Sequence, residues 1–150
     1  MTMPGSPRAQ QLLGIAAVIN DKVISVYDLN MRLTLVMVFA GLPISLETRQ
    51  RLAPQVLRIL IDDELKRQEA KRIGLTYTDK QVEQVMHRME KSNNMPKGGL
   101  KDFLAKRNVE VSVLGNQIRA DLAWKELVFG RYGRSVVISD EEIDEVLADI

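Results

Sequence analysis

Hydrophobic residues recur at helical spacing over most of this chain, and one stretch dominates the pattern. Gln55 to Gly74, QVLRILIDDELKRQEAKRIG, predicts a single long helix. Val56, Leu57, Ile59, Leu60 and Ile61 point in most directions around its first half, whereas its second half keeps only the stripe Leu57, Leu60, Ile61 and Leu65. The first half is therefore expected inside a core that other helices wrap, and the second half in water. Asp62 with Lys66 and Asp63 with Arg67 are acid-before-base pairs at i, i+4, suited to an exposed face. Gly74 supplies a left-handed stop, after which Leu75 folds back on the last turn.

The same rules place the other elements. Two short β-prone runs in IAAVINDKVIS, Ile15 to Ser25, flank Asn20-Asp21 and predict a small hairpin. Ser25 with Asp28 forms a capping box that opens a helix to about Phe39, with Leu29, Leu33, Val36 and Met37 as its stripe. Gly41 and Pro43 end it, and a helix restarts near Leu46. Pro54 falls inside that pattern and predicts a kink, because it has no N–H for the Gln50 carbonyl. Thr78 and Gln81 form a second capping box. The helix from Asp79 to about Ser92 has the cleanest stripe, Val82, Val85, Met86 and Met89, and Asn93-Asn94 stops it. A short helix over Leu100 to Arg107 turns Phe103 and Leu104 inward, and Asn108 takes a left-handed stop.

Ser112 is expected to cap a long helix from Val113 to about Arg131 with two apolar faces. Val113, Ala120, Trp124, Leu127 and Val128 share one side; Leu114, Ile118, Leu122 and Phe129 share another. Such a helix is either deeply buried or packs a core on one side and a partner on the other. Val136 to Ile138 is a strand candidate for pairing with the hairpin. Ser139 and Glu142 open a last helix with Ile143, Val146, Leu147 and Ile150 on its apolar side. The fold class is thus mainly α with a small β-hairpin, in one domain over 15–150. Residues 1–14 read as a flexible leader or a cloning remnant.

Composition narrows the function classes. Of 150 residues, 45% are hydrophobic but only 5% aromatic, so the core is aliphatic. Charged residues make up 27% with a net charge of +1, both signs interspersed, which argues against nucleic acid as a partner. The apolar run Leu33 to Ile44 is too short to span a bilayer. With no cysteine and one histidine, His87, neither a disulfide framework nor a zinc site is expected. His87 lies off the stripe of its helix and reads as solvent-facing. Asp62-Asp63-Glu64 reads as a solvated face, since consecutive helical residues point about 100° apart. There is no phosphate loop and no nucleophile triad, so the chain is read as non-enzymatic, with no cofactor. The methionines on and near helix stripes read as core filler or as a pliable surface for varied apolar partners.

Five segments, in this order, resemble the N-terminal chaperone domain of the SurA family. They are IAAVINDKVISVYDL, LRILIDDELKRQEAKRIGLTYTDKQV, NNM at Asn93 to Met95, QIRADLAWKELV from Gln117 to Val128, and SDEEIDEVL near the end. The resemblance covers about Ile15 to Ile150. It implies an ATP-independent periplasmic domain binding unfolded outer-membrane protein segments through an apolar groove. A parvulin-type peptidyl-prolyl isomerase domain is expected after Ile150. Two alternatives remain: the non-catalytic part of such an isomerase, or a helical assembly module with one fixed partner. Expected contact residues are Met37, Phe39, Met86, Met89, Trp124, Leu127 and Phe129. The occupant is a client peptide or a second copy of the chain.

Overall fold

A computed structural model describes residues 14–132. The strand expected at Val136 to Ile138 and the helix after Ser139 lie outside the described residues, as does the leader up to residue 13. A hairpin, β1 (Ile15–Ile19) and β2 (Lys22–Ser25), is followed by α1 (Val26–Phe39), α2 (Leu46–Arg72), α3 (Asp79–Ser92), α4 (Gly99–Ala105) and α5 (Val111–Tyr132). The strands are antiparallel with Val18 opposite Val23 and Ile19 opposite Lys22, and Asn20 turns the chain at φ +54°. The register slips between Ile15 and Ala17.

The caps form where local chemistry dictates. Ser25 Oγ accepts from the Asp28 N–H at 3.0 Å and Asp28 Oδ2 accepts from the Ser25 N–H at 2.9 Å, so β2 passes straight into α1. Thr78 and Gln81 repeat the exchange at α3. The stops share one geometry. Gly41, Gly74, Asn94 and Asn108 all adopt positive φ. The next residue, Leu42, Leu75, Met95 or Val109, donates its N–H back to Met37, Ala70, Glu90 or Leu104. α5 differs from expectation: it begins at Val111, two residues before Val113, so Ser112 lies inside the helix rather than capping it.

α2 runs 27 residues, about 40 Å, and continues through Pro54 without a break. Its apolar half is not the most buried part of the fold. Only Val56 is fully sequestered there; Leu57, Ile59, Leu60 and Ile61 are half-buried and Leu65 is exposed. The centre belongs to α1, where Arg32, Leu33, Thr34, Leu35 and Met37 are all buried. α1 packs against α2 on one side and α5 on the other. Leu33 and Met37 join Val56 in one cluster, and Leu35 joins Val82, Leu100, Leu104, Val109, Leu114 and Ile118 in a second. A helix held from both sides must be apolar on both sides, which dilutes its stripe.

Candidate functional site

Three regions of the surface could meet another molecule. The first is a cleft of about 530 Å³ between α3, the start of α4 and α5. Val82, Met86, Val111 and Gly115 give it apolar walls, and Asp79, Glu83, His87, Lys97, Lys101 and Arg119 stand around it. Gly115 keeps the floor open: a Cβ there would lie 3.7 Å from both Met86 Cε and Val82 Cγ1, filling space the cleft now holds.

Glu90 builds one end of this cleft. It is buried; Oε1 accepts from the Leu100 N–H at 3.2 Å and Oε2 lies 2.7 Å from His87 Nδ1. Burial opposes its charge, but the bonds to His87 and to the backbone N–H groups of Leu100 and Gly98 prevail and hold its carboxyl below the usual range. His87 is therefore not simply solvent-facing: its ring is 40% exposed but engages a buried carboxylate. Because Glu90 has a depressed value in the fold, its stabilising contribution is complete above the unfolded carboxylate pKa. It disappears as pH falls through the folded value. Thermal unfolding scans across the acid range should show a loss in the native chain that Glu90→Gln lacks.

The second region lies on α5. Trp124 is 52% exposed and Phe129 68% exposed, with Lys66 of α2 placed 5.4 Å from the Trp124 ring centroid. Beside them the single O–H of Tyr77 is shared between two acceptors, the Leu122 carbonyl at 3.0 Å and Glu126 Oε2 at 3.2 Å. Burial, and then the Glu126 charge, push the Tyr77 hydroxyl up to about 12. This tyrosine ties the α2–α3 connection to α5 and stays protonated. Phe39, Ile44 and Leu46, all exposed, add apolar surface around the α1–α2 corner.

The third region is a polar cleft of about 790 Å³ among the hairpin, α1, α2 and the start of α5. It corrects the reading of the acidic run. Asp63 and Glu64 are buried rather than solvated. Arg32 Nη2 meets Asp63 Oδ2 at 3.0 Å with both side chains nearly sealed from water, and Lys66 stands 3.9 Å from Oδ1. Glu64 takes Arg67 at 2.7 Å and Gln68 at 2.9 Å, and Gln68 also reaches the Ile19 carbonyl of the hairpin. The expected partner of Asp63, Arg67, thus serves Glu64 instead. The Arg32–Asp63 pair locks α1 onto α2, and the Gln68 amide ties the hairpin to the same helix.

The expected contact residues do not converge on one groove. Met37 is fully buried in the α1–α2 cluster and is withdrawn from that set, because nothing outside the fold can reach it. Met86 lines the α3–α5 cleft, while Met89 is half-buried against the same core. Phe39 sits at the end of α1, and Trp124, Leu127 and Phe129 lie on α5; none of these four lines either cleft among the described residues. Neither the Lys97–Lys101 rim nor Glu90 was legible along the chain, since both depend on the loop after α3 folding back. Among the described residues no helix is long and apolar enough to cross a membrane, and no group of side chains could hold a metal ion.

Residues 12–128 match the SurA N-terminal domain. The chain belongs to the SurA N-terminal domain family. A protein described as chaperone SurA from Alkalilimnicola ehrlichii is 30% identical over 147 residues, covering 93% of this chain and 33% of the relative. Those from Bordetella pertussis and Chromobacterium violaceum are 29% and 28% identical, covering 96% and 98% of this chain and 28% and 34% of theirs. The chain spans about a third of the length of the curated relatives it matches. The hairpin and helices described above are therefore this family's N-terminal domain, and the surfaces on α3 and α5 are its candidate contact surfaces.

Proposed function

We propose that this domain acts in the periplasm as an ATP-independent chaperone, capturing extended apolar segments of unfolded outer-membrane proteins. The observation that carries the reading is Trp124, the single tryptophan, standing half-exposed beside Lys66 rather than in the core. Phe129 and Leu65 are exposed as well, and Phe39, Ile44 and Leu46 expose further apolar surface at the α1–α2 corner. Such surface, at roughly 25 cal/mol per Å² removed from water, gives affinity without sequence discrimination. The chaperone relatives and the family membership support the same role. A prolyl-peptide isomerisation assay on residues 1–150 should show no acceleration, since the parvulin activity of this reading belongs to a separate domain.

Intrinsic fluorescence tests the proposal directly. Unfolded outer-membrane strand peptides should shift the Trp124 emission, and a polar peptide of equal length should not. Trp124→Ala should weaken client capture several-fold, measured as suppressed aggregation of an unfolded outer-membrane protein. It should cost only about 1 kcal/mol or less of stability, as expected for a surface position. Failure of every apolar peptide to bind would overturn the reading. Covering of the same face by a second copy of the chain is the competing outcome, visible as a dimer by light scattering.

A further inference from the structure

The charges around the α3–α5 cleft are not evenly compensated. At one end Arg119 and Asp79 form an ion pair, with Glu83 one turn further along α3. At the other end Glu90 is fully engaged by His87 and by the backbone of the following loop. Lys97 and Lys101 stand at that second end, exposed, and neither joins an ion pair among the described residues. Between the two ends lies the apolar floor formed around Met86 and Gly115. Glu83 is likewise exposed and joins none of these ion pairs, so the free rim charges are two cations, together at one side of an apolar seat, against one anion.

Resting on the chaperone reading, we propose that this cleft seats an apolar side chain of a client segment whose neighbouring residues are acidic. The domain thereby prefers acidic-apolar over basic-apolar segments. Burial in the cleft supplies sequence-tolerant affinity. Lys97 and Lys101 supply the discrimination, because exposed rim charges act mainly on encounter and partner choice. Their effect is screened by salt, since the Debye length falls from about 30 Å at 0.01 M to about 10 Å at 0.1 M ionic strength. The thioether of Met86 adapts to differently shaped side chains in the same seat.

Three fluorescein-labelled peptides with one shared Leu-Phe-Leu centre test the proposal, flanked by Asp, by Lys or by Ser. In anisotropy titrations at low salt the Asp-flanked peptide should bind about tenfold tighter than the Lys-flanked one. The Lys97→Glu/Lys101→Glu double variant, altered only at exposed positions, should invert that order, and added salt should shrink the difference. With methyl-labelled methionine, the Asp-flanked peptide should shift the Met86 methyl resonance, assigned through Met86→Leu. Equal binding of the Asp- and Lys-flanked peptides, or binding that leaves the Met86 methyl unmoved, overturns the proposal while the Ser-flanked peptide still supports the chaperone reading. If no peptide binds, both fall together.

Discussion

Arg32→Met should destabilise the domain by about 3–5 kcal/mol in urea unfolding, because it strands a buried carboxylate. Arg32 and Asp63 come from α1 and α2, and their side chains are only 5% and 6% exposed. Burial pulls the guanidinium down from its usual pKa, and Asp63 pulls the other way. For Asp63, burial raises the carboxyl and outweighs the lowering by Arg32 and Lys66. Removing Arg32 takes away the larger of those two opposing charges, so the Asp63 carboxyl rises further. A folded value above the unfolded one means that ionisation penalises the fold. The penalty in the variant is therefore present at neutral pH and lifts as pH falls through that raised value. This is the reverse of the sign at Glu90. Replacing both partners with apolar residues of similar volume, Arg32→Met with Asp63→Leu, should recover much of the loss, because no orphaned charge is left. A double-mutant cycle reads the coupling directly.

Leu104→Ala should cost about 2–5 kcal/mol, the range for a fully buried leucine whose cavity closes incompletely. Leu104 is 0% exposed and packs among Leu35, Leu100, Val109 and Leu114, tying α4 to α1 and α5. α4 has only seven residues. A helix that short does not persist on its own in water, so its order comes from this packing. The loss should therefore appear first as faster amide exchange across Gly99–Ala105, and the α3–α5 cleft should lose its Lys101 side with it. Amide exchange that stays uniform across the domain would show instead that α4 opens only with the global unfolding step.

These two positions mark a boundary in what the chain reveals. The α4 stop at Asn108 and the inward side of Leu104 were legible in the sequence, and so were the boxes at Ser25 and Thr78. In the stop and the boxes the partners lie within about one turn of helix, and the chemistry is complete before any tertiary contact forms; Leu104 was found from its apolar spacing alone. The buried pair was not legible. Arg32 and Asp63 are 31 residues apart, and Asp63 looks solvated until α1 crosses it. Glu90 hides the same way: it is a charged residue at the edge of the α3 stripe, one turn after Met86, and is buried by backbone that returns from Leu100, ten residues later. The candidate site followed the same rule. Met86, Trp124 and Phe129 were found as apolar positions, but their distribution over separate surfaces, and the burial of Met37, depend on which helices meet.

By itself the sequence determined the hairpin, the five helices, the boxes at Ser25 and Thr78, the left-handed stops, and the family. Each of these rests on interactions between near neighbours or on the order of motifs along the chain. Only the tertiary structure decided that α1 rather than α2 is central, that an acidic run is turned inward, and that two lysines face an apolar cleft without partners. Burial and charge pairing are set by residues distant in the chain, and neither periodicity nor composition carries that distance.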